Sequence, residues 1–413
     1  MALALSVALV GCTSTTQYTL TIASSDGGSV FPAAGKHTYS AGQVIDIKAT
    51  PASEFYQFVN WTGDVSKVAD PSAATTSVTM EGDYSIKANF EALPWDTTIE
   101  LSFHGTISER ASIVELIIKP WIAQVEALTG TKGGKFDIVE DGYGDAPFDA
   151  TTSLSGIASG IVDMGQLNPD TFHLGSLGYL PWFFPTIEST AYTFHKLLRD
   201  EVDTWDVNGE LSGVKIMIIA ALWPVQWWGN VEVKAPANLD GVVVRAEGAE
   251  TLTLQALGAE PYYLGTSDLG GALQTGIVEG CFFTYSGIGG FSGVGPFTDY
   301  VTELNMFYRP YAIAMYKPSY DGLPAEAKAA LDSLCTPQES VDLALAHLAG
   351  QAEDRDATIA DPDHTFYQVT DFTAWKAATA GVKDQWIAMM DGYGFDGQAI
   401  YNRAVELIAQ TPS

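Results

Sequence analysis

With 413 residues, 46% of them hydrophobic, the chain is long enough for two or three domains with real cores, and general disorder is excluded. Its 50 acidic and 20 basic residues give a formal net charge of -30, which argues against nucleic acid and anionic membrane surfaces as partners. Three cysteines, Cys12, Cys281 and Cys335, lie too far apart to define a disulfide framework.

Residues 2–10 form a short apolar run that ends in Leu9-Val10-Gly11-Cys12 and looks like a lipobox, followed by Ser and Thr at 13–16. The run is too short to span a bilayer. The expectation is a lipoprotein signal peptide over 1–12, with Cys12 lipidated as the first mature residue. The protein would then be extracytoplasmic and held to a membrane, in the periplasm or at the cell surface.

Residues 13–96 read as a tether, a small all-β domain and a linker. Alternating strands are expected at 18–22, 44–49 and 86–90, with a turn at Asp26-Gly27-Gly28 and no helical period between them. The string Gly27-Gly28-Ser29-Val30, Asn60-Trp61-Thr62-Gly63-Asp64 and Ala88-Asn89-Phe90 resembles a divergent InlB B-repeat, with Trp61 as its core ring. A single copy suits a stalk, and exposed loops also offer a surface for a polymer or protein partner. Leu93-Pro94-Trp95-Asp96 reads as the linker.

From 97 onward strands alternate with helices, the pattern of a parallel sheet: strand 99–103, helix 113–128, strand 136–139, strand 161–164. His104, Gln166 and Asn168 follow strands and are expected to face the crevice at the carboxyl ends. Further on, 242–244 is an apolar strand closed by Arg245, then come a helix at 249–257, a strand at 261–264 and a helix at 268–275 capped by Ser267. A guanidinium at the end of a buried strand has two readings. One is a fork gripping a ligand carboxylate, and the other is an ion pair with Glu247 or Glu250. The rings of Trp223, Trp227, Trp228, Phe282, Phe283 and Tyr285 likewise suit either an aromatic ligand cleft or a core.

The order Asn238-Leu239-Asp240-Gly241, strand, Arg245, Leu257-Gly258-Ala259-Glu260-Pro261 and Ala272-Leu273-Gln274-Thr275-Gly276-Ile277-Val278-Glu279-Gly280 resembles the solute-binding receptors of TRAP transporters, the DctP-like family. Leu180-Pro181-Trp182-Phe183-Phe184-Pro185 and residues 154–165 extend the resemblance over about 97–413. It implies an α/β, two-lobed periplasmic-binding-protein-like receptor with an interdomain cleft, in which Arg245 holds the ligand carboxylate and TRAP membrane subunits receive the ligand.

Two departures shape the expected ligand. Gln226 stands where the family commonly has a second arginine, and Phe283 stands where it has a ligand-facing asparagine. Both exchange polar reach for apolar surface, so the ligand is read as a monocarboxylate with an apolar or aromatic body. The site is expected to comprise Arg245, Gln226, Trp223, Trp227, Phe283, Tyr285, Gln166, Asn168 and His104.

No phosphate loop, H-E-x-x-H or nucleophile elbow is present, so neither catalysis nor a cofactor or metal is expected. Cys281 lacks the signature of a cysteine hydrolase and reads as an inert thiol. The alternative function is a surface adhesin or sensor lipoprotein whose β module binds a polymer or protein.

Overall fold

The computed structural model describes residues 16–52, 56–144, 146–289 and 294–412, so the Cys12 reading lies outside the described residues. The chain divides into two compact units. One comprises Met1–Asp96 with Gly130–Lys132 and Pro324–Lys328, and the other holds the remainder.

Among the described residues the first unit contains seven strands: β1 Gln17–Ser24, β2 Gly28–Phe31, β3 Gly35–Ser40, β4 Val44–Pro51, β5 Tyr56–Gly63, β6 Thr75–Thr79 and β7 Tyr84–Ala92. They form two sheets, ordered β3-β1-β7-β5 and β2-β4-β6. The alternation legible in the sequence sets which face is covered. In β4, Ile45, Ile47 and Ala49 turn inward while Val44, Asp46 and Lys48 stay exposed. Trp61 is buried among Leu20, Ile22, Ile47, Val78 and Ile86, and its indole N–H donates to Ala73 O at 3.1 Å.

The second unit is built on two mixed sheets. Strands β8 Thr98–Gly105, β9 Lys135–Tyr143, β10 Met164–Leu167, β11 Val214–Ala221 and β17 Pro310–Tyr316 order as β11-β17-β10-β8-β9. Strands β12 Gln226–Gly229, β13 Val243–Ala246, β14 Glu260–Tyr263, β15 Gly280–Phe283, β16 Tyr300–Glu303 and β18 Thr365–Gln368 order as β14-β13-β15-β12-β16-β18. In the first sheet β8 runs parallel to β9 and β10, and in the second β13 runs parallel to β14 and β15. Carboxyl ends of parallel strands therefore gather on one edge of each sheet.

The chain crosses between the sheets at 222–225 and returns at 304–309. The two crossings are hydrogen-bonded to each other, Leu222 N to Arg309 O at 3.1 Å and Val225 N to Phe307 O at 3.1 Å. Gln226 braces them. Its carbonyl accepts from Leu304 N (2.7 Å) and Asn305 N (3.0 Å), and its amide donates to Pro224 O (2.8 Å) and Asn305 Oδ1 (2.7 Å). Asn305 takes a left-handed φ of 47°, which a short polar side chain tolerates.

Helices cover the sheets, and their starts are chemically marked. Thr186 opens Ile187–His195 with a capping box, and Thr336 caps the 24-residue helix Pro337–Ala360. Among the described residues no helix is long and apolar enough to cross a membrane.

Several sequence expectations shift by a few residues. The third strand of the first sheet is Met164–Leu167, not 161–164, so Gln166 lies inside it rather than after it. Ile161 is 54% exposed, and Asp163 accepts hydrogen bonds from Ser102 N and Oγ at 2.9 Å and from Ser319 Oγ at 2.6 Å. That carboxylate ties the loop and delays the strand. The helix after β14 begins at Thr266 with Gly265 as its N-cap, two residues ahead of the expected Ser267 cap. Arg245 lies near the end of β13, which runs one residue past it to Ala246.

Candidate functional site

A cavity of about 440 Å³ opens between the two sheets of the second unit. Thr106, Asp149 and Asn168 line it from loops after β8, β9 and β10, and Glu247, Gly265 and Thr266 line it from segments after β13 and β14. This is the crevice that the carboxyl ends of parallel strands create. A smaller cavity of about 50 Å³ shares Ile107, Thr266 and Tyr311 with it and adds Leu222, Val225, Phe283 and Arg309. The crevice thus has a hydroxyl-rich part and an apolar part with one guanidinium at its edge.

Behind the wall sits a network of charges. Arg245 is fully buried. Its Nε donates to Leu264 O at 3.0 Å, and its Nη2 donates to Thr266 Oγ1 at 3.0 Å and to Glu247. The second oxygen of Glu247 accepts from Arg309 Nη1 at 2.9 Å, and Arg309 Nη2 reaches Glu250 at 3.1 Å and Phe282 O at 3.3 Å. The pairing with a local acid is therefore realised, with the cavity on the far side of that acid. Arg245 Nη1 and Arg309 Nε are buried donors with no partner among the described residues.

Glu250 is fully buried, and burial pushes its carboxyl up to about 7 against the opposing pull of Arg309 and Arg245. A raised carboxyl keeps its proton in the fold where the unfolded chain has already released it. Its stabilising contribution is complete below the ordinary value of 4.5 and is lost as pH rises through 7. The expected loss is on the order of 3 kcal/mol. Glu250→Gln is expected to flatten the decline of melting temperature between pH 5 and 8, measured by thermal denaturation across that range.

The nine expected site residues separate. Asn168 lines the larger cavity, where its Oδ1 accepts from Thr106 Oγ1 at 2.9 Å, and Phe283 lines the smaller one. Gln166 is buried beside it and accepts from Thr106 N at 3.2 Å, with its amide nitrogen unpartnered among the described residues. His104 is buried one strand away, its Nε2 3.0 Å from Phe148 O, and it does not line the cavity.

Four expectations are corrected in position. Gln226 is consumed in bracing the crossings, as described above. Trp227 is fully buried in the core of the six-stranded sheet, edge-on to Phe282 with centroids 5.7 Å apart, its N–H donating to Val231 O at 3.0 Å. Tyr285 is buried too and donates to Glu303, which Arg355 also holds. Trp223 stands against Tyr285 and lines a different cavity, with Trp182, Leu304 and Phe372. For Trp227 and Tyr285 the large ring is taken up by the core.

Residues missed from the sequence are Arg309, Glu247 as a wall residue, Asp149 and Tyr311. Arg309 had a signal. In a chain with only 20 Lys and Arg, an arginine at the head of the apolar returning strand invites the argument already applied to Arg245. Cys281 is fully buried, and burial pushes its thiol up to about 12, so it is an inert thiol. Asp361, Asp363 and His364 form a loop fastening. His364 Nδ1 lies 2.9 Å from Asp361 Oδ2, and its Nε2 lies 3.0 Å from Gly295 O.

Known proteins share both parts of this architecture. Residues 18–94 match the divergent InlB B-repeat domain, and residues 157–388 match the family described as bacterial extracellular solute-binding protein, family 7. The C4-dicarboxylate-binding periplasmic protein DctP of Rhodobacter capsulatus is 26% identical over 257 residues, 56% of this chain and 71% of that protein. A TRAP solute-binding protein from Rhodoferax ferrireducens, solved with copurified benzoate, is 21% identical with a TM-score of 0.66, over 76% of this chain and 98% of its own. One from Bordetella bronchiseptica, solved with bound mandelate, is 18% identical with a TM-score of 0.64, over 76% and 100%. One from a marine metagenome, described as specific for aromatic acid ligands, is 20% identical with a TM-score of 0.66, over 76% and 100%. At these identities the structural likeness shows the fold: two α/β lobes of a solute-binding protein. With a family match over more than half its length, this chain belongs to the family-7 bacterial extracellular solute-binding proteins, and is a TRAP-type extracytoplasmic receptor rather than an enzyme.

Proposed function

We propose that this receptor captures a small organic acid with an apolar or aromatic body in the crevice between its two sheets and delivers it to a TRAP membrane permease. The observation that carries the reading is the crevice itself. Phe283, Ile107, Leu222 and Val225 offer apolar surface at one part, with the guanidinium of Arg309 at its edge and that of Arg245 buried behind Thr266 and Glu247. The benzoate and mandelate held by structural neighbours support an aromatic acid. Arg245 and Arg309 supply the positive charge, and Asn168 supplies a polar contact from the opposite lobe. Contacts from both lobes favour a closed form, so ligand shifts an open-to-closed equilibrium about the crossings at 222–225 and 304–309. Lipidation at Cys12 would hold the receptor near its permease, with the β module as a stalk.

A thermal-shift screen with benzoate, phenylacetate, mandelate and aliphatic monocarboxylates tests this. At least one acid is expected to raise the melting temperature, with the rise lost in Arg245→Met and reduced in Phe283→Ala. The unliganded melting temperature of each variant separates lost binding from lost folding. A complete absence of stabilisation by this acid set and by the amino-bearing counterparts of its members would overturn the proposal.

A further inference from the structure

The charges that face the larger cavity do not suit a bare carboxylate. Among the described residues lining the larger cavity, Glu247 and Asp149 are the charged ones, and both are acids. Glu247 spends one oxygen on each guanidinium, so it covers the positive charge with a negative one. Glu250 takes a further N–H of Arg309, and Asp170, which accepts from Tyr179 at 2.8 Å, adds another carboxylate beside the pair.

Asp149 faces the cavity from the opposite lobe. The four hydrogen bonds to its carboxylate among the described residues all fall on Oδ1, from the backbone and hydroxyls of Thr151 and Thr152 at 2.8–3.0 Å. Those bonds hold its carboxyl below the ordinary value, the Thr152 hydroxyl most of all, and so keep it an anion. Its Oδ2 lies outside that turn.

In the larger cavity a ligand carrying only a carboxylate meets two carboxylates, while the guanidinium of Arg309 lines the smaller cavity beside it. Displacing Glu247 would leave that acid without its two guanidinium partners in a place where an unpaired charge is costly. A ligand that also carries a positive group faces no such conflict. Its cation pairs with Glu247 and Asp149, one from each lobe, while its carboxylate turns toward Arg309, which lines the smaller cavity and whose Nε has no partner among the described residues. The apolar surface of Phe283, Leu222 and Val225 accepts the rest.

We propose that the captured acid bears a protonated amine next to its carboxylate, and that Glu247 and Asp149 select for that amine. The inference rests on the receptor reading above and narrows it to apolar or aromatic amino acids. Because the amine's two partners sit on different lobes, the same contact rewards closure.

Matched pairs test it on the full chain by titration calorimetry: phenylalanine against 3-phenylpropionate, and leucine against 4-methylpentanoate. The amino acid of at least one pair is expected to bind ten times more tightly than its deaminated partner or better. Asp149→Asn keeps the Oδ1 turn and removes the charge, and it is expected to erase most of that preference. If the deaminated acids bind as tightly or more so, the inference is overturned and the receptor reading stands. If an amino acid is preferred but Asp149→Asn and Glu247→Gln both retain the preference, the assignment to these two residues is overturned. If neither member of any pair binds, the inference falls. The acid screen above then decides separately whether the receptor reading falls with it.

Discussion

Arg309→Met is expected to lower stability by about 3–5 kcal/mol, because it breaks a buried ion network by removing one partner from two acids. In the wild-type chain Arg309 is 5% exposed and holds both Glu247 and Glu250. Without it, Arg245 alone faces both carboxylates, and the fully buried Glu250 loses its nearest cation. The melting temperature should fall by roughly 10 °C. Adding Glu250→Gln removes a buried carboxyl that without Arg309 must hold its proton still higher in pH, so above pH 7 the double variant should recover part of the loss, a coupling that a double-mutant cycle measures directly. A single variant as stable as the parent would show that the network contributes little to folding.

Trp227→Ala is expected to cost a similar amount, about 3–5 kcal/mol, through a cavity rather than a charge. The ring is fully buried and lies directly over two glycines. A Cβ on Gly229 or Gly280 would meet it at 2.3 Å, so the backbone there approaches closely because no side chain intervenes. Truncation leaves that space empty and strips Val231 O of its indole donor. The milder Trp227→Phe should keep the fold and leave ligand affinity unchanged, since the ring lies in the core and not on the crevice. A change in affinity without a change in stability would place the ring at the site after all.

How much of the site was legible follows from which physics is local. The strand, helix, strand and helix around Arg245 were readable because hydrophobic period and Gly or Pro punctuation act within a few residues. Their boundaries moved where one tertiary hydrogen bond outweighed the pattern. Asp163 tied down 161–163, and MGQL became a fully buried strand despite its glutamine. Phe283 and Asn168 reached the crevice because they end strands that feed it. Gln226 and Trp227, only a residue apart, did not, because β12 lies between β15 and β16 with covered faces on both sides.

The sequence by itself determined the two kinds of unit, the alternation that builds the β module, the parallel strand pattern and the family. All of these rest on residue periodicity and short motifs. Only the tertiary structure decided what Arg245 does, since the acid that covers it and the second guanidinium that shares that acid come from positions 247 and 309. It also decided that the larger cavity is acidic on its surface, because Asp149 and Glu247 are about a hundred residues apart in sequence. Charge balance is a sum over groups that folding brings together, and no local pattern in the chain carries that sum.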